Sequence, residues 1–165
     1  MHRDVINAEL QLLRPDHAPA LLAFEEENRA YFAASVPDRG DAYFRDFAAR
    51  HSALLAEQAA GICFFHVLVD DAGEVLGRVN FVDVADGSAE LGYRIAERAA
   101  GQGLATRAVR QALDLAVSVY GLAELRAVTT YDNPGSRAVL ARVGFVATGD
   151  VRLDGRPGTS CVLTL

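Results

Sequence analysis

The sequence predicts an α/β fold in which a mixed β-sheet packs against helices. Apolar residues recur with strand-like and helical spacing in the order β-α-α-β-β-β-α-β-α-β-β. The three consecutive strands between residues 62 and 95 are separated only by short turns, so they are expected to pair as antiparallel hairpins. This arrangement argues against a doubly wound parallel sheet. We expect one domain over residues 1–165, with about seven strands and four helices.

The N-terminal part of the chain is expected to hold one strand and two helices. Residues 8–13 alternate between apolar and polar types, which predicts a strand. Asp16 is a suitable N-cap for a first helix that extends to about Ala34. A segment with Pro and Gly then interrupts the pattern, Asp41 caps a second helix, and Gly61 ends it.

Turn-forming sequences separate the remaining elements. Asp86-Gly87 is a strong hairpin signal, and Asp154-Gly155 predicts a second tight turn. Asn133 and Pro134 suit the N-cap and first position of a short helix that continues to Val143. The strands that these elements separate are expected at residues 62–69, 75–84, 88–95, 125–131, 145–148 and 159–165.

A glycine-containing loop at residues 99–103 connects the strand that ends near Ile95 to a helix over about residues 104–120. Glycines let the backbone approach an anion closely, and the first N–H groups of a helix have no partner within it. The loop therefore suits a pyrophosphate, although a lone Gly-x-Gly is more often an ordinary tight turn. Thr106 stands where a dinucleotide fingerprint needs its third glycine, and the Gly-Lys-Ser/Thr of a P-loop is absent from the sequence.

The loop resembles the acetyl-CoA-binding pattern Q/R-x-x-G-x-G/A of the GNAT N-acetyltransferases. In one register Arg98, Gly101 and Gly103 match this pattern literally, and in a second Ala100, Gly103 and Ala105 match it with Ala in place of Gln or Arg. We prefer the second register because it puts Gly103 and Ala105 at the start of the helix. The stretch Gly-Gln-Gly-Leu-Ala-Thr is also similar to a sequence common in that family.

A second motif supports the same resemblance. The stretch from Asn133 to Phe145 is similar to the GNAT pattern N-x-x-S-x-x-x-[LY]-x-[KR]-x-G-F. Asn28 and Arg29, followed by Pro37, resemble the helical region of the RimJ/RimL-like branch, whose members acetylate the N-terminal alanine of ribosomal proteins. The two motifs and the element order together cover most of the chain. The resemblance implies the GNAT fold, in which two central strands splay apart.

The resemblance also implies a site for acetyl-CoA between the splayed strands. The pantetheine arm would pair with free backbone groups, and the N–H near Ile95 would polarise the thioester carbonyl. The backbone amides of the glycine loop would bind the pyrophosphate. Asn133 would contact the cofactor arm or would serve only as an N-cap. The implied cofactor-binding residues are Ile95, Ala100, Gly101, Gln102, Gly103, Leu104, Ala105, Thr106 and Asn133.

Two catalytic residues are implied for proton transfer. Many GNAT enzymes use a tyrosine as the acid at the position that here is Leu140, and the RimL-like branch uses a serine at the position of Ser136. Ser136 is therefore the candidate acid or an ordinary first-turn helix residue. Glu90 is the candidate base or a solvated strand residue, and it is out of phase with Tyr93 and Ile95. A chain of water molecules could replace it.

Composition narrows the remaining possibilities. The net charge of −6 argues against nucleic acid, and it suits a cationic substrate or simply acidic solubility. Cys63 and Cys161 lie in separate apolar runs, which predicts reduced thiols in a cytoplasmic protein. The four histidines are scattered, so we expect no metal. The N-terminus lacks the apolar stretch of a signal peptide, and no run is long enough to span a membrane.

Three functions remain open at this point. The first is transfer of an acetyl group from acetyl-CoA to a primary amine, either a protein N-terminus, including that of a ribosomal protein, or a small amine such as an amino acid, polyamine or amino sugar. The second is a non-catalytic acyl-CoA-binding module, and the third is a nucleotide-binding module. Tyr31, Asn28 and Arg29 would line the acceptor pocket or only pack and cap. The chain could be a monomer or a homodimer.

Overall fold

The structure is a computed structural model that describes residues 6–165. Residues 1–5, which include His2 and the start of the segment assessed for a signal peptide, lie outside the described residues. The strands are β1 (Ala8–Leu12), β2 (Phe64–Asp70), β3 (Val75–Ala85), β4 (Ser88–Ile95), β5 (Glu124–Thr130), β6 (Val146–Leu153) and β7 (Arg156–Thr164). The α-helices are α1 (Ala18–Glu27), α2 (Arg29–Ala33), α3 (Asp41–Arg45), α4 (Phe47–Ala59), α5 (Leu104–Ser118) and α6 (Pro134–Arg142).

The seven strands of residues 6–165 form one mixed sheet in the order β1-β2-β3-β4-β5-β7-β6. All neighbouring strands are antiparallel except β4 and β5, which are parallel. The parallel pair requires a crossover, and α5 supplies it between the end of β4 and the start of β5. The predicted α/β class with a mixed sheet is confirmed.

The central strands β4 and β5 separate shortly after they meet. Their pairing starts at Ser88 with Glu124 and ends at Glu90 with Arg126. Beyond that point β4 stays paired with β3 as far as Ile95, and β5 stays paired with β7 as far as Thr130. Each strand therefore keeps one neighbour and loses the other, which opens a gap inside the sheet. The predicted splay is confirmed.

Helices cover both faces of the sheet, and each face has its own apolar core. On one face, α5 and α6 contribute Leu104, Val109 and Leu140 to a cluster with strand residues such as Phe81 and Leu125. On the other face, the helices α1 to α4 form the second cluster, which includes Leu21, Phe24, Phe32, Tyr43 and Phe47. Because β4 and β5 diverge between these two layers, the gap has walls from both.

The two long N-terminal helices that we expected are each interrupted. The first divides into α1 and α2 at Asn28, and the second divides into α3 and α4 at Asp46. Asn28 is buried, and its side chain donates to the Phe24 carbonyl at 2.9 Å and accepts from the Glu97 amide at 2.9 Å. The break thus anchors the helical layer to the segment after β4. Among residues 6–165, no helix has the length and hydropathy needed to cross a membrane.

The two expected aspartate N-caps are wrong. Asp16 lies inside a short 3-10 helix before α1, and its carboxylate pairs with Arg14 at 3.0 Å. Asp41 is the first residue of α3, and its carboxylate pairs with Arg29 at 2.8 Å. In both cases an arginine competes for the carboxylate that we assigned to backbone N–H groups. The third predicted cap is confirmed, because the Asn133 side chain accepts from the Ser136 amide at 3.2 Å.

Gly158 fixes how closely β7 approaches β5 beside the gap. A Cβ atom at Gly158 would lie 2.5 Å from the carbonyl oxygen of Thr129, which is backbone and cannot move aside cheaply. We therefore expect Gly158→Ala to lower the free energy of unfolding by about 1–3 kcal/mol, measured by urea denaturation. Gly149→Ala in the same hairpin is the matched control, because its Cβ would meet only Ser160 Oγ at 3.9 Å. Equal stabilities for the two variants would contradict this packing constraint.

Candidate active site

The gap between β4 and β5 opens into a cavity of about 550 Å³. Its walls come from four places: α2 and the segment that follows it, the end of β4, the loop before α5, and α6. The size suits a small-molecule site. The lining residues are Tyr31, Phe32, Ser35, Val36, Tyr93, Arg94, Ile95, Ala99, Ala100, Gly101, Gly103, Leu104, Ala105, Thr106, Asn133, Gly135, Ser136, Ala138, Val139 and Arg142.

The loop before α5 presents a row of free backbone amides. Gly101 and Gly103 have φ angles of +74° and +72°, a conformation that favours glycine. The first amide of α5 that bonds to a carbonyl is that of Arg107, which donates to Gly103 at 3.1 Å. Within residues 6–165, the six amides from Gly101 to Thr106 have no hydrogen-bond acceptor, whereas the Ala100 amide donates to Glu97 at 3.1 Å.

This row of amides fits a pyrophosphate. A Cβ atom placed on Gly101 or Gly103 would have no neighbouring atom within 4 Å, so the space beside the loop is open. Thr106, in the first turn of α5, is buried, and its hydroxyl has no hydrogen-bond partner among the residues that the structure describes. Unsatisfied amides at a helix N-terminus attract anions. The loop thus has the donors and the room that a phosphate group needs.

The backbone of β4 also faces the gap. Ala96 donates to the Leu76 carbonyl at 2.8 Å, so residues 96 and 76 form a hydrogen-bonded pair of the antiparallel ladder. Such pairs alternate with pairs whose N–H and C=O groups point to the opposite side. Ile95 lies opposite Gly77, so its N–H points toward β5, which has already diverged. The Ile95 amide is therefore available to a group that occupies the gap.

The predicted residues of α6 lie on the cavity wall. Asn133 and Ser136 both line it, together with Gly135 between them. Asn133 uses its side-chain oxygen to cap the amide of Ser136, so the helix-capping role belongs to Asn133. Over the described part of the chain, the Ser136 hydroxyl forms no hydrogen bond. Ser136 therefore does not use its side chain to bond the local backbone.

Tyr93 is a site residue that the motifs did not indicate. It lines the cavity from β4, and its hydroxyl donates to the Ser136 carbonyl at 3.5 Å. Burial raises the pKa of Tyr93, so the phenol keeps its proton at neutral pH. Leu140, where many GNAT enzymes have tyrosine, is buried in the core instead. The alternation of β4 predicted which face Tyr93 occupies, but no sequence signal placed its hydroxyl against α6.

Two predicted residues do not join the cavity lining. Glu90 lies on β4 opposite Val82 and Arg126, at the last paired position before the gap. It is on the face of β4 opposite to Tyr93 and Ile95, as strand alternation requires. Gln102 is exposed and is not part of the cavity lining, while the other predicted loop residues line the cavity.

One end of the cavity is formed by Tyr31, Phe32, Ser35 and Val36, and we name it the acceptor end because the resemblance indicated an acceptor pocket near Tyr31. Arg156 of β7 donates to the Ser35 carbonyl at 3.1 Å, which ties the β6–β7 hairpin to the segment after α2. Of the three N-terminal residues that the resemblance indicated, Tyr31 lines the cavity. Asn28 packs as described above, and Arg29 pairs with Asp38 and Asp41.

The charged side chains of the cavity lining are both cationic. Arg94 lies on β4 and Arg142 lies near the end of α6, while the lining within residues 6–165 contains no Asp or Glu. The structure also brings no three His, Cys, Asp or Glu side chains of those residues into a cluster that could hold a metal ion. The site therefore offers amides, hydroxyls and guanidinium groups as its polar functions.

Sequence comparison agrees with this geometry. A family model described as "Acetyltransferase (GNAT) domain" matches residues 8–146, which is most of the chain. The chain belongs to the GNAT acetyltransferase family. It is an N-acetyltransferase, as the resemblance implied. A sequence search of curated proteins gives no match.

Solved structures confirm the resemblance to the RimJ/RimL-like branch. Ribosomal-protein-S5-alanine acetyltransferase from Vibrio fischeri has a TM-score of 0.90 and 21% identity, covering 98% of this chain and 95% of that one. RimJ from Mycobacterium smegmatis, in complex with CoA-disulfide, has a TM-score of 0.85 and 27% identity, covering 95% of this chain and 81% of that one. Spermidine N-acetyltransferase from Vibrio cholerae, in complex with CoA and spermine, has a TM-score of 0.78 and 18% identity, covering 96% of this chain and 95% of that one.

The amide row makes a direct prediction about Gly103. We expect Gly103→Glu to raise the dissociation constant for acetyl-CoA by about a hundredfold or more, because a carboxylate beside the pyrophosphate is repelled. Isothermal titration calorimetry measures this change. Gly103→Ala is the matched control, since both variants strain the positive φ and only one adds charge. Equal affinities for acetyl-CoA in the two variants would contradict the assignment of the loop.

Proposed function

We propose that this GNAT enzyme transfers the acetyl group of acetyl-CoA directly to a primary amine, and that the amine is the N-terminus of a protein. The gap between β4 and β5 carries the proposal, because it exposes the Ile95 amide and the loop amides to one cavity. Acetyl-CoA supplies a thioester whose carbonyl carbon bonds to the amine nitrogen while the carbon–sulfur bond breaks. The neighbour named ribosomal-protein-S5-alanine acetyltransferase, whose acceptor is a protein, supports the choice of a protein N-terminus.

In this proposal, backbone N–H groups bind the pyrophosphate of acetyl-CoA and polarise its thioester carbonyl. The amides from Gly101 to Thr106 hold the pyrophosphate, and Asn133 contacts the pantetheine arm from α6. The Ile95 amide donates to the carbonyl oxygen, where negative charge develops as the amine attacks. Because the strand fixes this amide before the reaction, the donor needs no reorganisation in the transition state. Gln102 does not line the cavity, so we assign it only its backbone N–H.

Two hydroxyl groups can return a proton to the departing sulfur. We assign this role to Ser136, whose hydroxyl is free and lines the cavity. Tyr93 is the second candidate because its phenol reaches the same part of α6 and stays protonated. Neither requires a covalent acyl-enzyme, which agrees with the absence of cysteine from the cavity lining within residues 6–165.

The amine must lose a proton before or during attack. Glu90 was the candidate base, but it is not among the residues that line the cavity. The described part of the cavity lining has no carboxylate, so we propose that water in the acceptor end accepts the proton of the amine. Water in this role would leave the rate dependent on the fraction of unprotonated amine. Activity would then rise with pH up to the pKa of the acceptor.

The two hydroxyls can be separated by single substitutions. We expect Ser136→Ala to lower kcat by about a hundredfold or more if it is the acid, with little change in the KM for acetyl-CoA. Tyr93→Phe is the matched variant, because it removes one hydroxyl and keeps the ring in place. Steady-state kinetics at saturating acetyl-CoA measure both. If Tyr93→Phe has the large loss and Ser136→Ala has none, the assignment of the acid moves to Tyr93.

The cofactor and the reaction need separate measurements. Acetyl-CoA at about 100 times its dissociation constant should raise the melting temperature by roughly 5–10 °C, while ATP and NAD should not. Release of free CoA should then depend on added peptide amine. A shift without turnover of any amine would favour a non-catalytic acyl-CoA-binding module. A shift with ATP or NAD alone would overturn the acetyl-CoA assignment. Turnover of small amines but not of peptides would replace the protein acceptor with a small one.

A further inference from the structure

A buried carboxylate beside the acceptor end holds three arginines. Glu25 on α1 is only 1% exposed. One of its oxygens accepts from Arg39 Nε at 2.6 Å and from Arg94 Nη1 at 3.3 Å, and the other accepts from Arg78 Nη1 at 3.5 Å. One negative charge therefore faces three positive ones. Two of the positive charges are therefore in excess, although a single bidentate Arg–Glu pair can satisfy a carboxylate.

Arg94 connects this cluster to the cavity. It lies on β4 between Tyr93 and Ile95 and lines the cavity, with 21% of its side chain exposed. Its guanidinium lies 4.6 Å from the centre of the Phe32 ring, which forms the acceptor wall. Within residues 6–165, only Nη1 of Arg94 makes a hydrogen bond, to Glu25. A guanidinium has five N–H donors, so most of the donors of Arg94 are available to a ligand.

Nearby acidic residues cancel only part of the excess charge, because Asp38 and Asp41 with Arg29 leave one negative charge against two positive charges in excess around Glu25. Asp38 and Asp41 both pair with Arg29 at 2.8 Å, and Asp41 is 91% exposed. Burial and the neighbouring Arg39 lower the pKa of Arg94 to about 10, so the side chain still carries its charge at neutral pH. The cavity wall beside the Ile95 amide is therefore positive, although the chain as a whole has a net charge of −6.

We propose that the acceptor carries a carboxylate close to its amino group and that Arg94 binds this carboxylate. The inference rests on the proposed acetyl transfer to a primary amine. Arg94 directly precedes Ile95, whose amide would hold the thioester carbonyl. A carboxylate bound by Arg94 should therefore be separated from the attacking amine by no more than about one or two residues of the acceptor. A planar guanidinium suits a carboxylate because it can donate two parallel hydrogen bonds. An acidic side chain next to a peptide N-terminus, or the carboxylate of a free amino acid, would supply this group.

A polyamine is the acceptor that this charge distribution disfavours. Its second ammonium group would need an acidic partner, and the described lining offers two arginines and no carboxylate. Arg94 would repel such a cation at close range. The spermidine acetyltransferase neighbour shares the fold at 18% identity, which carries no information about the charges lining this cavity.

Acceptor selectivity of the unmodified enzyme is the first test. The acceptors are peptide pairs with Ala-Asp-Ala or Ala-Asn-Ala at the N-terminus, free alanine against alaninamide, and spermidine. We expect kcat/KM at saturating acetyl-CoA to be about tenfold to a hundredfold higher for the acid of a pair than for its amide. Faster turnover of the Ala-Asp-Ala peptide identifies an acidic side chain as the source of the carboxylate. Faster turnover of free alanine identifies the carboxylate of an amino acid. Equal rates within both pairs, or fastest turnover of spermidine, would overturn the inference.

Arg94→Gln tests which side chain carries the selectivity. It should remove the preference for the acidic acceptor by raising the acceptor KM, while the KM for acetyl-CoA stays within about twofold. The matched control is Arg45→Gln, because Arg45 lies on α3 with 72% of its side chain exposed and does not line the cavity. Retention of the full acid preference in Arg94→Gln would overturn the assignment.

The failure of this inference and the failure of the proposed function give different results. If amides and acids are acetylated equally well, acetyl transfer stands and the carboxylate assignment falls. If acetyl-CoA binds but no acceptor is turned over, the proposed transfer falls and the inference falls with it. The peptide pairs test the inference without any substitution, so a variant that fails to fold does not remove the test.

Discussion

The parallel contact between β4 and β5 is the constraint on which the rest of this structure depends. It covers only Ser88–Glu90 and Glu124–Arg126, and both strands then continue with a partner on one side only. Unpaired backbone groups inside a sheet are costly when they are buried and attractive to any extended ligand that can pair with them. The α5 crossover places its own N-terminus at the end of β4. Strand amides and helix amides therefore meet at one cavity because of topology, before any side chain contributes.

Side chains then decide what the cavity does with that backbone. On the α5 and α6 side, the lining includes small residues, hydroxyls and one cation, among them Ala138, Ser136, Tyr93 and Arg142. On the α1 to α4 side, aromatic rings and Arg94 form the wall, with the Glu25 cluster directly behind it. Each side of the gap thus carries one arginine, and the Glu25 cluster stands behind only one of them. This division follows the two separate cores on the faces of the sheet.

Much of the fold could be predicted because its signals are local. The turn at Asp86-Gly87 and the turn at Asp154-Gly155 both have their two residues at positive φ, so the sequence of each dipeptide is tied directly to its conformation. The glycine loop is local in the same sense, since its φ angles and free amides depend on neighbouring residues. The breaks at Asn28 and Asp46 were not predicted. Asn28 bonds to Glu97, which is 69 residues away, and apolar periodicity continues across it.

The charge of the acceptor wall could not be predicted for a related reason. Glu25, Arg39, Arg78 and Arg94 come from four separate segments, and each one alone looks like an ordinary solvated charge. The net charge of −6 suited a cationic substrate or simply acidic solubility, and it gave no sign of a positive wall. Exposed charges are screened over about 8 Å at physiological ionic strength, whereas charges in a desolvated wall are screened much less. A ligand seated in the cavity therefore experiences the nearby arginines more strongly than the distant surface carboxylates. We therefore expect the local arrangement of charges, more than the total charge, to decide which acceptors bind.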